Sequence, residues 1–333
     1  MSNRILLIRL RFLGDVLLST PAIRAIRKRY PDAIIHYVVA EGCEGALAGN
    51  PHVDKILIWR PRAAWGEKIR WMMALRKERY DMAVDWWGSS TSAFMVWLSG
   101  ASLRVGFDYP MRKWLYSHVL KASSKPLNAV EVYLQALGPL GAGVDGMSLE
   151  YRGGEAFRSH AEGWLTAQGI EPAKPVLGVF PGATWSAKRW PVDRFARVIQ
   201  RLVEQRQTQV VIFEGPKELG VAEAMTGLLP DSVKRKTYIA QGLTFQELGA
   251  LMSRCRAMLT NDAAPMHLAA ALSIPTVAVF GPGNAKIWFP YTVPHVAFQK
   301  EVGCCQQNTC VKDHACLSAV TVDEVLAALE KFL

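Results

Sequence analysis

With 333 residues, half of them hydrophobic and 20% charged, the chain is long enough for two cores and too apolar to be a disordered segment. Its 39 Lys+Arg against 29 Asp+Glu leave a formal charge of +10; that favours an anionic partner, while the absence of a long Lys/Arg block argues against a nucleic-acid tail. Six cysteines, four of them crowded at Cys304, Cys305, Cys310 and Cys316, do not make a secreted disulfide framework. No stretch reaches the ~18 uncharged apolar residues of a membrane span. The apolar N-terminal run is broken by Arg9, Arg11 and Asp15, so no signal peptide is expected. A cytoplasmic protein, resting at most on a membrane surface, is the expectation.

In chain order, strands are predicted at 4–10, 33–39, 55–59, 81–86 and 104–107, with helical stretches at 15–29, 42–48, 66–77 and 88–98. A second set follows, with strands at 175–180, 209–213, 236–240, 257–260 and 276–280 and helices near 155–168, 191–206, 217–228, 244–252, 264–272 and 321–332. Apolar strands separated by helices indicate parallel sheets covered on both faces. The fold expected is α/β, two doubly wound, Rossmann-like domains facing a cleft, divided as 1–150 and 151–333. The join lies in the glycine-rich 141–155, and the last helix is expected to pack back on the first domain. Ligands in such sheets bind at the carboxyl ends of strands, so the loops after strands carry the search for chemistry.

The first such loop is "RLRFLGD", with Gly14 and Asp15 at the entry to a helix and Arg9 and Arg11 beside them. Asp15 reads either as a helix-dipole and capping charge or as a catalytic carboxylate. The second, "FPGATWSAKRWP" (180–191), offers the hydroxyls of Thr184 and Ser186 and the charges of Lys188 and Arg189, where orphan amides already favour an anion. The third, "LTNDAAPMHLAAAL" (259–272), places Asp262 and His267 around the start of a helix whose first-turn amides can hold a diphosphate; a cap and a packed core histidine are the plain alternatives. The fourth, "VFGPGNAKIWFPY" (279–291), is a rigid turn followed by Trp288, Phe289 and Tyr291, which form a ligand wall or, more simply, core. The chain has no H-E-x-x-H, no G-x-x-x-x-G-K-[ST], no G-x-G-x-x-G after its first strand and no G-x-S-x-G elbow.

Taken together, "RFLGDVLLSTPAIRAIRKRYPDA", "PGATWSAKRWP" and "NDAAPMHLAAALSIPTVAVFGP", in this order and spacing, resemble glycosyltransferase family 9, the ADP-heptose:lipopolysaccharide heptosyltransferases. The resemblance implies a GT-B fold and an inverting transfer of heptose from ADP-heptose to the inner core of a lipopolysaccharide precursor, with no obligatory metal. By matching position it implies Asp15 as general base and Lys188 and Thr184 on the donor diphosphate. Ser186 joins them in that loop, Asp262 and His267 attend the donor heptose and phosphates, and Ala263 and Ala264 supply backbone amides. Two departures stand out. The family's N-D-[ST]-G-P is "NDAAP" here, which removes a hydroxyl, and either Glu214 or Glu218 could hold the nucleoside.

Arg9, Arg11, Arg60, Arg62 and Arg112, with Lys113, are the candidates for an acceptor rich in carboxylate and phosphate. "FDYPMRKWLYSH" (107–118) mixes basic and aromatic residues that could touch glycan or bilayer, or serve as an amphipathic packing segment. Four thiols and His314 in "CCQQNTCVKDHAC" fit no standard zinc spacing, and a disulfide or thiol-rich loop suits them better. Three other readings remain: a family member using a different nucleotide sugar, a catalytically silent nucleotide- or glycan-binding protein, and a basic nucleic-acid binder. The last lacks a recognition motif.

Overall fold

A computed structural model describes residues 3–121, 123, 126–216, 218–289, 292–302, 310 and 314–333. The chain divides into two compact units, Met1–Arg152 and Gly153–Leu333.

In the first unit β1 (Arg4–Ile8) is followed by α1 (Leu13–Leu18), α2 (Thr20–Arg29), β2 (Ile34–Ala40), β3 (Lys55–Trp59), α3 (Trp65–Lys77), β4 (Met82–Asp85), α4 (Ser90–Leu98), β5 (Leu103–Phe107), β6 (His118–Leu120) and α5 (Ala129–Leu134). The six strands form one parallel sheet in the order β3-β2-β1-β4-β5-β6, with Ile5 opposite both Ile35 and Met82. Ile5, Leu6, Leu7 and Ile8 are wholly buried, as a central strand covered on both faces requires. The helix expected over 15–29 is two helices. Pro21 lies in the first turn of α2 and lacks an N–H, and the Ser19 hydroxyl at the break donates to the Val16 carbonyl at 2.7 Å. The segment expected as a helix at 42–48 is one 3₁₀ turn, Glu44–Leu47.

The second unit runs α6 (Glu155–Ala167), β7 (Val176–Phe180), α7 (Val192–Arg206), β8 (Gln209–Phe213), α8 (Val221–Gly227), α9 (Asp231–Lys234), β9 (Thr237–Ala240), α10 (Phe245–Met252), β10 (Ala257–Asn261), α11 (Ala264–Ala271), β11 (Thr276–Phe280), α12 (Ala285–Trp288), β12 (His295–Gln299), α13 (Ala315–Ser318) and α14 (Val322–Leu329). Its sheet has the order β12-β11-β10-β7-β8-β9, again all parallel. Read from its first strand, this is the same winding as in the first unit, so each sheet reverses direction beside its first strand: between β1 and β4, and between β7 and β10. The last helix packs on its own unit. Its apolar face, Val325, Leu326, Ala328 and Leu329, belongs to the core of the second unit with Phe195, Ile199 and Leu202 of α7. The i, i+1, i+3, i+4 spacing makes one stripe, and α7 offers the matching one.

Candidate active site

In an open parallel sheet, ligands bind beyond the carboxyl edge at the point where strand order reverses. In the first unit that point lies between the loops after β1 and β4, and Arg9 joins them. Its Nη1 donates to the Trp86 carbonyl at 3.0 Å, and its guanidinium lies 4.7 Å from the Trp87 ring centroid and 5.7 Å from that of Tyr133. Its Nη2 pairs with Asp15 Oδ1 at 2.6 Å, with the two side chains 14% and 15% exposed. Burial opposes the charge on Arg9, but the Tyr133 hydroxyl and the Asp15 carboxylate outweigh it, and the guanidinium is held charged above its usual range.

Asp15 itself has two kinds of partner. Its Oδ2 accepts from the Phe12 N–H at 3.2 Å, at the start of α1, so the capping reading is correct as far as it goes. Its Oδ1 takes Arg9 and the Tyr133 hydroxyl, which donates at 3.3 Å. Burial pushes the Tyr133 phenol well up, so it stays a donor. A cap needs none of this second set. Tyr133 escaped the sequence reading because α5 is six residues long, too short for a periodic signal. Its visible sign is Asn128 with Glu131, which form a capping box.

Another residue missed in the sequence is Asp85, wholly buried at the end of β4. It accepts from the Trp87 and Gly88 N–H groups at 2.9 and 2.8 Å and from the Tyr116 hydroxyl at 2.7 Å. Burial raises its pKa against those bonds. It shapes the turn that presents Trp86 and Trp87 to Arg9. Among the predicted acceptor residues, Arg11 and Arg62 are exposed. Arg60 is paired to Glu41 at 3.0 Å, and Arg112 donates to the Gly88 carbonyl beside the Tyr109 ring. All four follow strands or their loops, but only Arg9 reaches Asp15. The segment 107–118 holds a 3₁₀ turn over Lys113–Leu115 and the start of β6.

In the second unit the reversal lies between the loops after β7 and β10, where Lys188 Nζ meets Asp262 Oδ2 at 2.5 Å. The side chains are 17% and 7% exposed. Lys188 closes a 3₁₀ turn, Ser186–Lys188, and Asp262 stands just before α11. Asn261 fixes the two loops together. Its Oδ1 accepts from the Trp190 N–H at 3.0 Å, and its Nδ2 donates to the Pro181 carbonyl at 2.7 Å. Trp190 anchors the loop in the core, wholly buried, its indole donating to the Val320 carbonyl at 3.2 Å. Thr184 and Ser186 are exposed. Ala263 and Ala264 open α11, with Pro265 in its first turn, leaving first-turn amides that no helix carbonyl can reach. His267 is buried in that turn, its ring 6.5 Å from Trp288.

The loop after β11 approaches closely: a Cβ at Gly283 would lie 2.1 Å from Asp262 Oδ2. Trp288 is partly buried against the cluster of Met266 and Phe280, and Phe289 stacks on His295 at 5.1 Å; Tyr291 lies outside the described residues. After β8, Glu214 accepts from the Ala222 N–H at 2.8 Å, while its Oε2 has no partner among the described residues. Glu218 is equally buried over Gly182 and Gly215. Of the cysteine cluster, Cys304 and Cys305 lie outside the described residues. Cys316 is in the core, and Cys310 Sγ accepts from the His314 N–H at 3.1 Å. No group of three metal-ligating side chains occurs among the described residues.

Two Rossmann-like sheets, each with a charged pair at its point of reversal, define an α/β glycosyltransferase fold of the GT-B class. The model of glycosyltransferase family 9 (heptosyltransferase) matches residues 69–316, and the chain belongs to that family of heptosyl-transferring enzymes. It is 29% identical to the lipopolysaccharide heptosyltransferase 3 of Escherichia coli, over 97% of each chain. The structure of the E. coli ADP-heptose lipopolysaccharide heptosyltransferase II superposes with a TM-score of 0.83 at 25% identity, covering 99% of this chain and 98% of that one. A family 9 glycosyltransferase from Veillonella parvula superposes with a TM-score of 0.90 at 22% identity, covering 99% and 97%.

Proposed function

We propose that this heptosyltransferase moves heptose from ADP-heptose, with inversion, to a sugar of the inner core of a lipopolysaccharide precursor. The observation that carries the donor half is the Lys188–Asp262 pair beside the first-turn amides of α11. A cation and free amides together suit a diphosphate, and a carboxylate next to them suits sugar hydroxyls. Thr184 and Ser186 add donors, His267 lines the same turn, and Glu214 Oε2 is an open acceptor for the nucleoside ribose.

In this reading the acceptor hydroxyl attacks the anomeric carbon from the side opposite the diphosphate, and Asp15 takes its proton. Arg9 and Tyr133 fix that carboxylate in place. As the glycosidic oxygen departs, negative charge grows on the diphosphate, and Lys188 with the α11 amides stabilises it. Arg11, Arg60, Arg62 and Arg112 attract the phosphates and carboxylates of the acceptor. An acceptor built on lipid places the enzyme at the cytoplasmic leaflet of the inner membrane.

A second reading, another nucleotide sugar, has one observation in its favour: Ala263 and Ala264 stand where the family pattern has a hydroxyl and a glycine. Calorimetry of the full chain against a panel of nucleotide sugars, followed by mass and linkage analysis of the product on truncated lipopolysaccharide, tests both. Tightest binding of ADP-heptose and a new heptosyl linkage of inverted configuration are expected. Preference for another sugar, or binding without product, overturns the proposal.

A further inference from the structure

Helix α3 is anomalous for its class. A crossover helix on a parallel sheet normally buries a broad apolar face, yet over Trp65–Lys77 only Leu75 is buried. Trp65, Ile69 and Met73 recur every fourth residue, hence on one face, and are 79%, 55% and 57% exposed. Helix α4 adds a parallel stripe, Phe94 and Trp97, 44% and 47% exposed with ring centroids 5.6 Å apart. Between the two helices lies a cavity of about 690 Å³ floored by Trp59 and Met72. Its rim is basic: Lys68, Arg76 and Lys77 line it, and Lys68 Nζ sits 5.4 Å from the Trp65 ring centroid. Residues 60–79 hold seven Arg and Lys against two Glu, so this one segment carries +5 of the chain's +10.

Contiguous exposed apolar surface on this scale marks an interaction site, and its chemistry selects the partner. A second copy of the chain would bring the same +5 rim against itself. A neutral protein surface would leave the cations unpaired. An anionic bilayer answers both features, since aromatic side chains favour the headgroup level and lysines and arginines extend past an apolar face to lipid phosphates. We infer that the α3–α4 face docks on an anionic phospholipid bilayer, Trp65, Ile69, Met73, Phe94 and Trp97 entering the headgroup boundary and Lys68, Arg76 and Lys77 meeting lipid phosphates. The inference draws its purpose from the lipid-linked acceptor proposed above, but the docking itself requires neither donor nor acceptor.

The test is flotation of the full chain with vesicles of phosphatidylethanolamine and phosphatidylglycerol, three to one, and with phosphatidylcholine alone, without substrates. Binding to the anionic vesicles and little to the neutral ones is expected. Trp65→Ser/Ile69→Ser/Met73→Ser should weaken it at least tenfold. Lys68→Gln/Arg76→Gln/Lys77→Gln should do so by about fivefold per charge, and added salt should act in the same direction. The three apolar positions are more than half exposed, so both variants should keep the wild-type melting temperature and bind ADP-heptose unchanged. That comparison separates failure of docking from failure of the transfer reading. No vesicle binding by the wild type, equal binding by the variants, or a lipid-independent dimer that the apolar variant dissolves would each overturn the inference.

Discussion

At the residue scale, Asp15 accepts both from the helix start and from the Arg9–Tyr133 pair, and the two roles separate on substitution. Asp15→Asn keeps an oxygen for the Phe12 N–H and loses the negative charge. It should lower kcat by ~10²–10⁴, the usual worth of a general base, with donor binding by calorimetry almost unchanged, and it should lower the melting temperature because the Arg9 guanidinium loses its counter-charge. Full turnover in this variant would reduce Asp15 to a cap. Lys188→Ala should raise the donor KM and lower kcat together, because the proposed diphosphate contact would be made in ground and transition states and strengthen in the latter; unchanged steady-state kinetics would take Lys188 out of the site. Gly283→Ala is the subtler change. The new methyl meets the tip of Asp262, which can swing away without moving backbone, so donor affinity should fall several-fold with no loss of stability beyond about 1 kcal/mol.

At the element scale, the repeated strand-helix alternation was legible because strands buried on both faces read as unbroken apolar runs. What was not legible has physical causes. β6 has three residues, too few for any period. β12 is an edge strand whose residues are half-buried, so its apolar signal is diluted. The site was half legible: helix-entry loops show Lys188, Asp262 and Asp15 directly, whereas Tyr133, Trp87 and Asp85 act through tertiary contacts with residues far along the chain. Spacing in the sequence says nothing about such contacts. Helix α14 offers a prediction of its own. Thr321 and Glu324 form a capping box, and Lys300 Nζ, with the Thr321 N–H and hydroxyl, pulls the Glu324 pKa from 4.5 down to about 2. A folded value below the unfolded one means the contribution is complete above about 4.5 and is lost as pH falls through about 2. The carboxylate is 36% exposed, so solvent screening cuts what the shift alone implies. Glu324→Gln should cost about 1 kcal/mol at neutral pH. In urea titrations its deficit should shrink below pH 4.5 and vanish near pH 2. A deficit constant across that range would assign the loss to packing.

At the scale of the whole molecule, the charge is unevenly shared. Residues 1–152 hold 21 Lys and Arg against 13 Asp and Glu, a net of +8, and residues 153–333 hold 18 against 16, a net of +2. The unit with Asp15, the proposed general base, therefore carries most of the field, although the unit proposed to hold ADP-heptose must bind a diphosphate. The two anions are met in different ways. In the proposed function the donor would meet short contacts in a partly buried cluster, Lys188 at 17% exposure beside helix amides, where added salt screens little. An acceptor with several phosphates and carboxylates would be drawn, in the same proposal, by exposed arginines such as Arg11 and Arg62, whose attraction extends about one Debye length, ~10 Å at 0.1 M salt and ~3 Å at 1 M. Steady-state kinetics should therefore show the KM for truncated lipopolysaccharide rising by about tenfold or more between low and high salt, with the KM for ADP-heptose moving by less than about threefold. Arg11→Gln/Arg62→Gln should flatten the acceptor's salt dependence, since fewer exposed charges remain to screen. Equal salt sensitivity of the two substrates would place the donor in an open field as well, and the division of labour argued from burial would then be wrong.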